Sequence, residues 1–246
     1  MGILHFPKIA AEGLVFYFDG KNPKSYTSPN TYLDDLINKR RLSAFRNSSG
    51  ITYSDDALVF GNSANDFYSY TGMTCAYNPM YLNKPNTSAF VTFYNTANSV
   101  SGTPAWYRQT PFAFGTDSTT GGWQFEKFAG GTEFYFRHHH DQSGIYGDQY
   151  LIGSVSLNTW YQIGYVNNGK DTILYLNGVE VNRYDSAGFT LTNPTTTALL
   201  TIGAAGNVDI IYGFVGKVAQ AMFYQKALST GEVKQNYEFM RRRYKL

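Results

Sequence analysis

Three of the four histidines stand in consecutive positions, His138-His139-His140, within the stretch FYFRHHHDQSG from Phe134 to Gly144. Imidazole is the commonest metal-ligating side chain, so the first chemistry this run suggests is a zinc site. Zinc takes three or four protein ligands, and two imidazoles at i and i+2 on one strand leave at least a third to be found elsewhere. His5 is the only other histidine and Cys75 the only thiol, so a thiolate site is excluded, as is an intrachain disulfide. In an extended strand Phe134, Phe136, His138 and His140 share one face, while Tyr135, Arg137, His139 and Asp141 share the other. The expectation is a buried phenylalanine face and an outward Arg137, His139, Asp141 set on solvent, with no metal bound.

Glycan hydrolysis would need two carboxylates facing one cleft. Glu126 in WQFEKF and Glu133 in TEFYF are each single on their segments, and no Gly-x-Ser-x-Gly or phosphate-cradling loop occurs. The chain reads as a non-enzyme. Sugar recognition asks instead for accessible aromatic rings with polar neighbours. The candidates are Trp106, Tyr107 and Arg108 in GTPAWYRQTP, Tyr146 and Tyr150 in SGIYGDQY, and Tyr212 in DIIYG.

The elements that must position these residues are strands. Aromatic residues make up 17% of the 246 positions and charged residues only 15%, a balance that suits pleated sheets around a filled core. Between Asn158 and Tyr184 period-two alternation, an Asn167-Asn168-Gly169-Lys170 turn and an Asn177-Gly178 turn predict a three-stranded meander. Further strands are expected at Leu14–Asp19, Ser88–Asn95, Gly121–Phe128, Thr132–His139, Leu199–Gly203 and Gly216–Gln225. Ser229-Thr230-Gly231-Glu232 fits a capping box that opens an amphipathic helix over Glu232–Arg243, with Val233, Tyr237 and Met240 on one side. A second helix is expected at Tyr32–Lys39. The fold class is all-β, two antiparallel sheets packed face to face with a short C-terminal helix, as one domain over 1–246. Residues 1–13 form an N-terminal arm, and 229–246 the helix and basic tail. A net charge of +2 does not argue for nucleic acid, no stretch could span a bilayer, and MGILHFPKIAAEG lacks a signal-peptide core.

Four blocks carry a resemblance. GLVFYFDGKNPKSYT (Gly13–Thr27), with its strand, Asp and Asn-Pro-x-Ser-Tyr, is the first. DDALVFGNSANDFYSY (Asp55–Tyr70), LNTWYQIGYVNNGKDTILYLNGVEV (Leu157–Val181) and GFVGKVAQAMFYQKALSTGEVKQNYEFMRRRY (Gly213–Tyr244) follow in order. Together they resemble the stand-alone laminin-G-like, or concanavalin A-like, domains of tailed-phage virion proteins. The resemblance implies a jelly-roll sandwich. It also implies a virion surface component, a capsid decoration or fibre part, made in the host cytoplasm and contacting other virion proteins or its own copies. The alternative it leaves open is an adhesin for host-surface glycans, and a glycan-cleaving enzyme ranks below both. Ile3, Phe6, Arg241, Arg242 and Arg243 are the candidate anchors. Asp19 matches the family's Asp after strand one and is the candidate calcium ligand, although the closing strand reads Val218-Ala219-Gln220-Ala221 where many relatives carry an acid. The competing reading is that Asp19 caps a turn, and no cofactor is otherwise expected.

Overall fold

The computed structural model describes residues 8–26, 32–46, 51–61, 71–76, 86–98, 107–115, 122–139, 148–185, 199–204, 213–244 and 246. The described strands form two antiparallel sheets. The first contains β1 (Leu14–Asp19), β4 (Ile51–Ser54), β5 (Ala57–Phe60), β7 (Thr87–Asn95), β12 (Trp160–Asn167), β13 (Asp171–Leu176), β14 (Val179–Asp185) and β16 (Gly216–Tyr224). Its order is β14-β13-β12-β7-β16-β5-β4, with β1 also paired to β16. The second sheet contains β2 (Tyr32–Asp34), β3 (Arg41–Arg46), β6 (Thr71–Ala76), β8 (Arg108–Phe114), β9 (Gly122–Phe128), β10 (Glu133–His139), β11 (Asp148–Ser154) and β15 (Leu199–Ile202). Its order is β11-β10-β9-β8-β15-β6-β3-β2, a pattern of non-local neighbours that makes a jelly roll.

Alternation explains which side chains meet between the sheets. Trp123 and Phe125 on β9 point inward with Phe134 and Phe136 on β10, opposite Phe93, Tyr165 and Phe223 from the first sheet. The Trp123 ring centroid lies 5.4 Å from Tyr165 and 5.9 Å from Phe223, and Phe136 lies 4.5 Å from Tyr165. These offset and edge contacts join the layers into one core. The meander has the expected form. Asn177 and Gly178 both have positive φ, at 51° and 75°, the conformation of a type I′ hairpin turn. Asn177 Oδ1 also accepts the Gln162 amide at 2.9 Å.

The helix α1 (Thr230–Tyr244) lies on the far face of the first sheet. Its capping box is reciprocal: the Glu232 amide donates to Ser229 Oγ at 3.3 Å, and the Ser229 amide donates to Glu232 Oε2 at 2.8 Å. Val233, Asn236, Met240 and Tyr244 are its buried residues, so a polar Asn236 holds the place expected of Tyr237. Asn236 is satisfied there, its Oδ1 accepting the Ala10 amide at 2.8 Å and its Nδ2 donating to Tyr224 Oη at 3.0 Å. The described part of the N-terminal arm thus docks on the helix.

The helix expected at Tyr32–Lys39 is not formed. Tyr32–Asp34 pairs with Arg41–Ser43, and the buried Asp35 carboxylate accepts the amides of Ile37 and Asn38 at 3.0 and 2.9 Å. That local bonding closes a turn, which competes directly with helix propagation. Among the described residues no helix is long and apolar enough to cross a membrane.

Candidate functional site

On β9 the residues that alternate with the core ones are Gln124, Glu126 and Phe128, and they face away from the first sheet. Cross-strand register places Tyr135 opposite Glu126, Arg137 opposite Gln124 and Gln149 opposite Arg137 on the same face. Arg108 on β8 stands opposite Phe128. Four strands therefore assemble a polar face from segments that are far apart in sequence.

Its centre is Glu126, fully buried. Arg137 Nε donates to Glu126 Oε1 at 2.8 Å, and Arg108 Nε lies 3.4 Å from Oε2. Gln124 Nε2 donates to Oε2 at 2.5 Å, and Gln149 Nε2 donates to Oε1. A buried carboxylate needs this many donors to offset its lost hydration. Both oxygens are engaged, so neither is directed at a ligand. Gln124 Oε1 is buried and has no hydrogen-bond partner among the described residues.

Around this centre is an accessible rim. Arg108, Phe128, Tyr135 and Gln149 are half-buried, Glu133 is exposed, and Leu151 is 40% exposed. The Arg108 guanidinium lies 3.7 Å over the Phe128 ring, and Phe128 meets Tyr135 edge-on at 5.9 Å. Tyr135 Oη donates to Glu133 Oε2 at 2.6 Å. That bond, with burial and the nearby charge, pushes the Tyr135 phenol up to about 12, so it stays a donor at neutral pH. Two aromatic rings beside a guanidinium, an acid and amides offer both a stacking surface and hydroxyl partners.

The expected site residues distribute unevenly. Arg108 is part of the polar face. Tyr107 is not at the surface: it is fully buried, and its Oη donates to the Gly213 carbonyl at 3.1 Å, so its ring is closed to a sugar. The cause is strand entry, because Tyr107 immediately precedes β8 and Arg108 takes the outer face. Tyr150 is half-buried on the edge strand β11, in register with the inward Phe136 and packed against the core, its ring centroid 4.0 Å from that of Tyr184. Trp106, Tyr146 and Tyr212 lie outside the described residues, as do Ile3 and Phe6. Glu126, Arg137 and Tyr135 went unrecognised as a group, because their only sequence signal is shared parity on neighbouring strands.

At Arg137 the outward face of the histidine strand is not the set of solvent charges expected of it: the residue is 5% exposed and paired to Glu126. His138 is also buried, stacked on Phe136 with centroids 6.2 Å apart, while the side chains of His139, His140 and Asp141 lie outside the described residues. Among the described residues no group of three or more ligating side chains could hold a metal.

Asp19 is buried at the end of β1. Tyr17 Oη and Tyr244 Oη donate to its two oxygens at 3.0 and 2.9 Å, and Arg243 Nη2 lies 2.9 Å from Oδ2. The Lys21 amide donates to Oδ1 at 3.1 Å, which is the turn cap anticipated for this residue. Calcium fits poorly here. A guanidinium already fills the cation's place, the hydroxyls present donors, and Gln220 stands in register where a second acid would help. Burial and the neighbouring Asp19 charge raise the phenols of Tyr17 and Tyr244. Arg243 thus ties the helix to β1, whereas Arg241 pairs with Glu238 at 2.8 Å and Arg242 is exposed.

Residues 86–234 match the family model described as the concanavalin A-like lectin/glucanases superfamily. No curated protein matches the sequence. Among solved structures, the binding domain of botulinum neurotoxin DC in complex with rat synaptotagmin II superposes with a TM-score of 0.63 at 11% identity. The match covers 92% of this chain and 51% of that one. A botulinum neurotoxin type C structure, whose cell entry depends on two ganglioside molecules, gives 0.63 at 10% identity over 92% and 50%. Trypanosoma rangeli sialidase in complex with sialic acid gives 0.63 at 12% identity over 94% and 34%. The chain spans about half the length of the first of these, and at such identities the likeness concerns the fold. With sheet order, closing helix and the matched residues in agreement, the chain belongs to the concanavalin A-like lectin/glucanases superfamily.

Proposed function

We propose that the chain is a non-enzymatic recognition module that holds a glycan against the polar face of its second sheet. The observation that carries this reading is the division of labour on that face. The buried carboxylate of that face accepts hydrogen bonds from Arg137, Gln124 and Gln149 and has Arg108 in ion-pair range, while Phe128, Tyr135 and Glu133 around it remain accessible. A sugar ring packs its C–H face on an aromatic side chain and gives its hydroxyls to flanking polar groups. A glycosidase needs a pair of carboxyl groups free to act on the scissile bond, and Glu126 has no free oxygen to offer. The neurotoxin relative's ganglioside dependence supports glycan contact on this fold.

The setting proposed is the virion surface of a tailed phage, as a decoration or fibre component bound to other virion proteins. Its support is the order of the four sequence blocks. No metal or cofactor enters the reading, in keeping with the occupied oxygens of Asp19.

A glycan array tests it. The protein should bind a restricted set of glycans, and Tyr135→Ala should abolish the signal at unchanged thermal stability while chelation leaves it intact. Reducing ends released from any bound polysaccharide would overturn the non-enzymatic part, and array binding that survives Tyr135→Ala would move the site elsewhere. For the setting, the protein should sediment with particles in fixed stoichiometry.

A further inference from the structure

The Asn22-Pro23-Lys24-Ser25-Tyr26 motif plays no part in the polar face. It forms a tight turn after β1, in which the Asn22 carbonyl accepts the amides of Ser25 and Tyr26 at 2.8 and 3.2 Å. Ser25 then ties the turn to its surroundings, Oγ accepting the Asp19 amide at 3.3 Å and donating to the Asp34 carbonyl at 3.0 Å. This rigid turn is one wall of a cleft of about 330 Å³ whose lining also includes Tyr32, Asp34 and Lys39. Behind it Tyr26 stacks on Tyr53 at 5.0 Å, and Arg41 lies 3.6 Å over the Tyr32 ring while bonding Asp34 Oδ1 at 3.1 Å.

The charges of the cleft do not cancel within it. Asp34 is already engaged by Arg41. Among the described residues neither Lys24 nor Lys39 has a carboxylate partner, and the Lys39 ammonium meets only the Leu36 carbonyl at 3.4 Å. Lys39 also sits at φ 56°, a left-handed conformation that a residue with a side chain adopts at a cost. Two ammonium groups beside Tyr32 and a polar hollow make a place for an anion carried on a compact polar ring.

We propose that this cleft binds an acidic sugar residue, a sialic or uronic acid, through its carboxylate. Lys24 and Lys39 take the carboxylate, the turn and the half-buried Tyr32 bound the pyranose, and Asp34 accepts ring hydroxyls. The cleft adjoins β2, the edge strand opposite β11, so it is separate from the polar face centred on β9. It holds whether or not that face binds glycans.

Saturation-transfer NMR and calorimetry on the whole chain test it, with the methyl glycosides of N-acetylneuraminic and glucuronic acid, methyl galactoside and inorganic phosphate as probes. At least one acidic sugar should bind, weaken with added salt, and lose about tenfold or more in affinity in Lys24→Gln/Lys39→Gln, the scale of one lost charge-assisted hydrogen bond. Both lysines are exposed, so the double variant keeps its thermal stability, and Lys234→Gln on the helix surface is the charge control. Equal binding of galactoside overturns the anion recognition, and phosphate competing as well as the sugars overturns the saccharide part. Wild-type affinity in the double variant, or binding by no probe, overturns the site. The lysine variants report the cleft alone, so these results are read independently of the Tyr135 array.

Discussion

Lys127 is fully buried on the inner side of β9, where its ammonium meets neutral oxygens, Ala97 O at 3.1 Å and Asn98 Oδ1 at 3.0 Å. Burial brings it down from 10.5 to about 7. The unfolded chain therefore binds more protons than the folded one between about pH 7 and pH 10.5, so stability rises with pH across that window. Above pH 10 the buried tyrosines, raised by burial, act oppositely, since they ionise more readily once unfolded. Urea midpoints should climb from pH 6.5 to pH 9.5, and Lys127→Met should flatten that climb. Glu126 gives a second expectation at this scale. Glu126→Gln leaves Arg137 buried beside a neutral amide, and breaking such a pair costs about 3–5 kcal/mol, read from urea unfolding.

At the level of elements, the β12–β7 pair depends on one close fit. Gly164 on β12 faces the Phe90 ring of β7 so closely that a Cβ would stand 2.1 Å from Phe90 Cδ1. Gly164→Ala should force the ring aside and cost about 1–3 kcal/mol, seen as a lower thermal midpoint. The helix is fastened at both ends, by the Ser229–Glu232 box and by Arg243 and Tyr244 on Asp19. Ser229→Ala should cost about 1 kcal/mol. Asp19→Ala should cost more, because it orphans a guanidinium and two phenols together. Both losses should appear first as faster amide exchange along α1, before the sheets are affected.

Across the whole molecule the two sheets share one aromatic core, bridged by Trp123 to Tyr165 and Phe223. Unfolding should be a single transition by tryptophan fluorescence and far-UV dichroism alike. Trp123→Ala, which empties the centre of that bridge, should lower stability by about 3–5 kcal/mol in both signals together.

Much of this fold was legible in the residue pattern. Period-two alternation marked β1, β7, β9, β10 and the meander, Asn177-Gly178 marked its turn, and Ser229-x-x-Glu232 marked the helix start, because each is set by neighbours a few residues apart. The stretch Tyr32–Lys39 misled, since Asp35 closes its turn with side-chain bonds that no periodicity displays. The polar face could not be read in advance. Glu126 looks single on its strand, and only sheet order brings Arg108, Arg137 and Gln149 onto it. Tyr107 and Arg108 are adjacent and both end in hydrogen-bonding groups, yet the pleat sends one inside and leaves the other on the outer face. Sequence by itself determined which segments extend and which face of each is apolar, a matter of local sterics and alternation. Tertiary structure alone decided which polar faces meet, because cross-strand contact depends on the order in which distant strands close the sandwich.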